Sequence, residues 1–230
     1  MLIVAIPKSA SSSLAMTLAE AVGVPQCHRE VRAQIRYGAP VPAVYRALQA
    51  FHSEFIDLDE ARRDIVVAAP GVTKHHFPPT ETNQRLLAGV PKVILLRPES
   101  EVVDAYWRGY ATGTWITKND VIMQARDLES WRAIARRIGL YDELKAFNDG
   151  WKAHEGDKLL VSYRELIDGP ADEIARIAKY FGRSAQPVTG LSREKFSGEA
   201  APLAAKLAKA LRQARFQARQ TIGALFSRNS

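Results

Sequence analysis

Four short apolar runs recur along the chain, separated by longer segments with helical periodicity. The runs have the length of buried strands and cover residues 2–6, 65–69, 92–96 and 158–162. Strands that alternate with helices along a chain form a parallel sheet with helices on both faces. The sequence therefore predicts an α/β fold with a central parallel sheet, built as a single domain over residues 1–230.

Apolar residues at helical spacing predict the elements between the strands. The predicted helices cover residues 14–22, 28–62 with a break at 38–42, 82–89, 99–110, 121–154, 171–181 and about 200–227. Gly23 and Pro25 end the first of them, and Gly182 closes the one at 171–181. The last helix is basic and amphipathic, which predicts either packing of its apolar stripe on the domain or contact with a membrane surface.

The composition favours a globular, basic protein. The chain has 32 Lys and Arg residues against 25 Asp and Glu residues, a formal net charge of +7, which suits an anionic ligand or simply a basic surface. We do not expect nucleic acid as a partner, because the basic residues are spread out without an aromatic-interleaved cluster. Cys27 is the single cysteine, so the chain has neither an intrachain disulfide nor a cysteine-rich zinc site. The single cysteine favours a reducing setting, so a cytoplasmic protein is expected. The sequence has no apolar stretch of ~18 residues and no signal-peptide pattern.

The first strand runs into a serine-rich loop, PKSASSS at residues 7–13, and then into a helix. Amide groups in the first turn of a helix are unpaired and partially positive, so they bind phosphate or sulfate. Lys8 adds a full charge, and Ser11, Ser12 and Ser13 add hydroxyl donors. The loop lacks the GxxxxGK[ST] pattern of a Walker A motif. It predicts an anion site or, alternatively, a serine-capped helix beside a solvated lysine.

The segment IPKSASSSL resembles the 5′-phosphosulfate loop of the sulfotransferases that use 3′-phosphoadenosine 5′-phosphosulfate (PAPS), whose pattern is roughly PKSGTTWL. The resemblance implies a P-loop-like sulfotransferase fold, with PAPS as co-substrate leaving as adenosine 3′,5′-bisphosphate and no metal. It implies that the 5′-phosphosulfate is bound by Lys8, Ser9, Ala10, Ser11, Ser12 and Ser13. Ala10 replaces the family's glycine, and Ser13 replaces the tryptophan that often stacks on adenine.

Further blocks follow in the family's order. TKHHFP at residues 73–78 resembles KTHLP and implies Lys74 as a second cation and His76 as the general base. LLVSYREL at residues 159–166 resembles the strand and YEDL segment, and implies Tyr163 near the adenine. Four such matches in one order, including the block described next, cover residues 3–182.

KVILLRPESEVVDAY at residues 92–106 resembles the block that binds the 3′-phosphate. It implies that Arg97 binds this phosphate in a bidentate manner. The usual serine partner falls near Asp104, which would repel a phosphate, and Ser100 is the alternative. Near the C-terminus, SREKFSG resembles a basic loop that closes over the same phosphate, through Arg193 and Lys195.

A rival base is Glu30, since carbohydrate-type members of the family use a glutamate shortly after the first helix. The resemblance implies transfer of a sulfuryl group to a hydroxyl or amine of a small molecule, glycan or glycolipid. Two other functions stay open at this stage. They are a P-loop-like kinase for a small molecule or nucleotide, and a nucleotide-binding module that has lost turnover.

Overall fold

A computed structural model describes residues 1–35, 43–112 and 120–192 of the protein. Within these ranges the chain forms a parallel sheet of four strands in the order β2-β1-β3-β4. The strands are β1 (Leu2–Ala5), β2 (Thr73–His75), β3 (Lys92–Leu96) and β4 (Lys158–Ser162). Arg193, Lys195 and the helix predicted at about 200–227 lie outside the described residues.

Eleven α-helices lie between and after the strands in the described ranges. They are α1 (Ser11–Val22), α2 (His28–Ile35), α3 (Arg46–Phe51), α4 (Glu60–Val67), α5 (Glu81–Leu87), α6 (Glu99–Ala111), α7 (Asp120–Met123), α8 (Leu128–Arg137), α9 (Leu140–Ala153), α10 (Tyr163–Asp168) and α11 (Pro170–Tyr180). A short 3₁₀ helix at Ala43–Tyr45 precedes α3.

The sheet separates two apolar cores, because successive side chains of a strand point to opposite faces. Leu2, Val4 and Ile94 join one core with side chains from α2 to α9. Ile3 and Val93 join the other core, against α1, α10 and α11. Helices thus cover both faces of a parallel sheet, which confirms the predicted α/β class.

The strand predicted at residues 65–69 is wrong. Residues 60–67 form α4 instead, because the Asp59 side chain accepts a hydrogen bond from the Arg62 amide at 2.8 Å and caps the helix. The strand beside β1 is β2, whose short polar sequence Thr-Lys-His hid it although all three residues are buried. The strands predicted at 92–96 and 158–162 have the expected bounds, and β1 ends one residue earlier than predicted.

Candidate functional site

The loop between β1 and α1 has an unusual backbone. Lys8 and Ala10 both adopt the left-handed region, with φ of 60° and 62°. Non-glycine residues rarely do so, and such strain concentrates at functional sites. Between them the buried Ser9 donates its hydroxyl to the Ile6 carbonyl at 2.6 Å. The loop therefore keeps at Ala10 the conformation that a glycine adopts freely.

Helix α1 begins directly after this loop and has no side-chain cap. Ala10 is its N-cap residue, and the first intrahelical bond runs from the Leu14 amide to the Ala10 carbonyl at 2.9 Å. The amides of Ser11, Ser12 and Ser13 consequently precede the helical hydrogen-bond ladder. The structure does not show the alternative in which a serine caps the helix. An uncapped helix N-terminus of this kind can bind an anion.

Arg97 joins this loop to the neighbouring strand. It follows β3 directly, is 7% exposed, and donates from Nη1 to the Lys8 carbonyl. Its guanidinium lies 3.7 Å from the centroid of the Tyr163 ring, and Nε donates to Glu101 at 3.3 Å. Lys8, Arg97 and Tyr163, which sequence reasoning took from three separate blocks, are therefore in one place.

His76 lies at the end of β2, beside the end of β1. Its Nδ1 is 2.6 Å from the Ala5 carbonyl oxygen. Because a carbonyl oxygen can only accept a hydrogen bond, Nδ1 is the donor and carries the proton. Its Nε2 then accepts from Lys74 Nζ at 3.2 Å. Burial, with Lys74 next, holds the pKa of His76 well below its usual value, so the imidazole is neutral at pH 7. A neutral imidazole has a basic nitrogen, as a general base requires.

His52 and Tyr106 connect Lys8 with this histidine. Lys8 Nζ lies 5.5 Å from the centre of the Tyr106 ring. The ring of His52 is 5.7 Å from that of Tyr106 and 5.1 Å from that of His76. Burial is the main cause that lowers the pKa of His52 far below its usual value, and the neighbouring His76, Lys8 and Lys74 lower it further. The predicted loop and the predicted base are thus linked by His52, which lies in no motif, and by Tyr106, which ends the block at residues 92–106 but received no role there.

Glu54 is a third residue that sequence reasoning missed. It is 5% exposed, and its Oε2 lies 3.7 Å from Lys74 Nζ. The only signal in the sequence is a carboxylate directly before the apolar pair Phe55–Ile56, which is fully buried. A buried carboxylate requires cations or hydrogen-bond donors to compensate its charge. For Glu54 one of these partners is Lys74 of the candidate site.

The remaining predicted site residues are more dispersed. Glu30 is exposed on α2, and Ser100 is exposed on α6. Asp104 accepts from Arg132 of α8 at 2.9 and 2.7 Å, so its charge is paired there. Ser11 is buried, and Ser12 and Ser13 are half-buried at the start of α1.

In the described parts of the chain, no three His, Cys, Asp or Glu side chains are grouped so that they could hold a metal ion. A search of the same residues found no helix with the length and apolarity needed to cross a membrane.

No protein-family model matches the chain. No curated protein matches its sequence either. Among solved structures it is similar to the sulfotransferase from Alicyclobacillus acidocaldarius, with a TM-score of 0.41 and 16% identity, over 95% of this chain and 92% of that one. The residues of the site therefore carry the functional conclusion.

Proposed function

We propose that the protein transfers a sulfuryl group from PAPS to a hydroxyl or amine acceptor. The observation that carries this proposal is the loop at residues 8–13. There two left-handed residues, one of them Lys8, precede an uncapped helix N-terminus, and Arg97 is bonded to the backbone of the loop. Such a helix end beside a lysine suits an anion. The order of the sequence blocks supports PAPS as the anion.

Positive charge at this edge of the sheet suits the reaction. The acceptor atom forms a bond to sulfur while the bond from sulfur to the bridging oxygen breaks, and that oxygen leaves on the nucleotide phosphate. Fixed cations and amide dipoles stabilise the charge that develops there, as in phosphoryl transfer. Lys8 and Lys74 are the proposed cations, and the amides of α1 are the proposed dipoles.

His76 is the proposed base. Its Nε2 lone pair accepts from Lys74 at 3.2 Å. When Lys74 turns to the phosphosulfate, this lone pair becomes available for the proton of the acceptor. Glu30, the rival base, is exposed on α2, whereas His76 directly contacts a proposed cation. The geometry therefore favours His76.

Arg97 and Tyr163 are the proposed contacts of the nucleoside end. Arg97 already uses Nε and Nη1 within the protein, which leaves Nη2 for the 3′-phosphate. Tyr163 lies over the guanidinium and is half-buried, so its ring edge is available near the adenine. A small molecule, glycan or glycolipid remains the proposed acceptor. Membrane contact through residues 200–227 and a cytoplasmic location remain predictions.

Thermal unfolding with adenosine 3′,5′-bisphosphate tests the donor assignment. A ligand at 100 times its Kd stabilises the native state by about 2.7 kcal/mol. We expect such stabilisation with the bisphosphate and a smaller one with ATP and magnesium. A preference for ATP and magnesium would refute PAPS as donor and favour a kinase.

A screen of acceptors with ³⁵S-labelled PAPS then tests transfer. Sugars, glycolipids, phenols and amines form its four arms, and label in any product supports the proposal. Bisphosphate binding without transfer to any arm would contradict sulfuryl transfer and identify a nucleotide-binding module.

A further inference from the structure

A buried carboxylate lies beside the proposed site, contributed by the segment between α3 and α4. The Glu54 side chain is 6% exposed and precedes Phe55, which is fully buried in the apolar core. Glu54 belongs to none of the sequence blocks that indicated the site. A carboxylate in such surroundings is stable only when cations or donors compensate its charge.

Three cationic or ionisable groups surround this carboxylate. Its Oε1 lies 3.3 Å from Arg32 Nη1 and 3.7 Å from His28 Nε2, both on α2. Its Oε2 lies 3.7 Å from Lys74 Nζ. Arg32 is half-exposed and belongs to the surface, whereas Lys74 is buried with Glu54. His28 is as buried, but its pKa is lowered to about 4, so at pH 7 it carries no charge. Of the two cationic partners, Lys74 is therefore the one that water screens less.

Lys74 lies between this carboxylate and the proposed base. Its ammonium is 3.2 Å from His76 Nε2 on one side and 3.7 Å from Glu54 on the other. We infer that Glu54 is a positioning residue for Lys74. The Glu54 carboxylate keeps the Lys74 ammonium charged and next to His76 until an anion binds. This inference rests on the proposed function of Lys74 as a cation on the phosphosulfate.

The charges around Lys74 explain why it needs this partner. Burial lowers the pKa of Lys74, the charge of Glu54 raises it, and that of Arg32 lowers it again. The ionisable and charged groups near this cluster are Arg32 and His28 of α2, Glu54, His52, His75, His76 and Lys8. Glu54 is the negative one in this described set. Without its charge, the neutral amine is favoured.

Direct titration of Lys74 is the experiment. In protein labelled with ¹³Cε-lysine, the Lys74 resonance is assigned by its loss in Lys74→Arg, and its pKa is measured by NMR. We expect a lower pKa in the isosteric Glu54→Gln variant than in the wild type. Glu60→Gln removes an exposed carboxylate six residues away and should leave the Lys74 titration unchanged. This measurement requires no transferase activity, so it stands apart from the proposed function.

The rate of sulfuryl transfer gives a second readout. In Glu54→Gln we expect about tenfold slower turnover than wild type at pH 8.5, and a deficit that shrinks as the pH falls and the amine takes up its proton. Glu54→Asp keeps the charge and is the substitute if Glu54→Gln does not fold; its Lys74 should titrate like the wild type.

An unchanged Lys74 titration in Glu54→Gln would overturn the inference. Loss of turnover at every pH with an unchanged titration would do so as well, and would assign Glu54 a direct role as base. A wild type without any transfer would instead count against the proposed function, whatever the titration shows.

Discussion

One buried lysine lies where the parallel strands begin, and another lies near the edge of the sheet where the strands end. The proposed site lies at this second edge, which we call the functional edge. The partners of the two lysines differ. Lys92 opens β3 and is fully buried at the edge where the strands begin. Its ammonium donates to the carbonyls of Leu87, Val90 and Asp157 at 2.7, 3.0 and 2.9 Å. These three acceptors match the three donors of an ammonium group. Lys92 is thus fully occupied by backbone.

The ammonium of Lys74 lies at the opposite edge, beside the residue that follows β2. It donates to His76, and its other neighbour Glu54 lies beyond hydrogen-bond distance at 3.7 Å. Burial lowers the pKa of both lysines, that of Lys92 to about 8. Backbone carbonyls cannot be exchanged without unfolding, but side-chain partners can be. Burial is therefore common to both lysines, and Lys74, the proposed cation, differs in having side-chain partners that it can exchange for a ligand.

The largest effect is expected when the charge of the functional edge is removed. Lys8→Ala should reduce the transfer rate about 1,000-fold, or about 4 kcal/mol in the transition state, because a preorganised charge is lost from the anion site. Its melting temperature should stay close to that of the wild type, since alanine replaces one non-glycine residue in the left-handed region by another. Steady-state kinetics with labelled PAPS measures the change.

Lys152→Ala, which removes an exposed lysine of α9, is the matched control and should transfer at the wild-type rate. Unaltered turnover in Lys8→Ala would remove the loop from the site.

The next effect concerns histidines, four of which lie near the functional edge. The pKa values of His52, His75 and His76 are well below the usual value because of burial, and that of His28 is lowered to about 4. The unfolded chain takes up these protons near pH 6.5, so stability is full above that pH and is lost as the pH falls. His28 alone accounts for about 3 kcal/mol between pH 6.5 and 4.

Urea unfolding at pH 7, 6 and 5 measures this dependence. We expect the free energy of unfolding to fall by more than about 1.4 kcal/mol per pH unit below pH 6, the slope of a single proton. His154→Gln removes the histidine at the other edge and is the control. Its free energy of unfolding should still fall with a slope of more than one proton. A wild-type slope of one proton or less would show that these histidines are charged in the folded protein.

A smaller effect is expected from Lys92→Met at the opposite edge. Unlike Lys8→Ala, this variant should lower stability and leave ligand binding unchanged. The variant fills the same space but leaves three carbonyls without the lysine donor, two of them in buried hydrogen bonds, which should destabilise the protein by about 2 kcal/mol. Its affinity for adenosine 3′,5′-bisphosphate should equal that of the wild type in isothermal titration calorimetry. Weaker binding by a folded Lys92→Met protein would mean that both edges contribute to the site.

The sequence predicts most of the sheet because three of its strands are apolar runs with clear limits. Lys92–Leu96 and Lys158–Ser162 are confirmed at both ends. The run at 65–69 misleads because five consecutive apolar residues fit a helix as well as a strand. The Asp59 cap stabilises the helix at this position. Residues 73–75 form β2 because they pair with β1, although their own side chains do not favour a strand.

The candidate site likewise has residues that the sequence predicts and residues that only the tertiary structure brings in. Lys8, Arg97 and His76 stand at the ends of strands, so their order in the chain and a parallel sheet suffice to bring them together. Glu54 and His52 come from the segment after α3, which no strand register places. Their position depends on how Phe55 and Ile56 pack in the core, and this packing is a tertiary property that local patterns do not reveal.

The smallest effect is expected at Ala10, and it tests whether strain in the loop serves the functional edge. Ala10→Gly removes the steric penalty of the left-handed region, about 1 kcal/mol, but the unfolded glycine gains an opposing entropy of similar size. The free energy of unfolding should therefore change by less than about 1 kcal/mol, and turnover by less than about twofold. Ala10→Val adds a β-branched side chain at the same φ and should lower both, because such residues fit this region worst. If Ala10→Gly instead destroys turnover, the methyl group itself touches the donor, and the loop acts through its side chains rather than through its backbone amides.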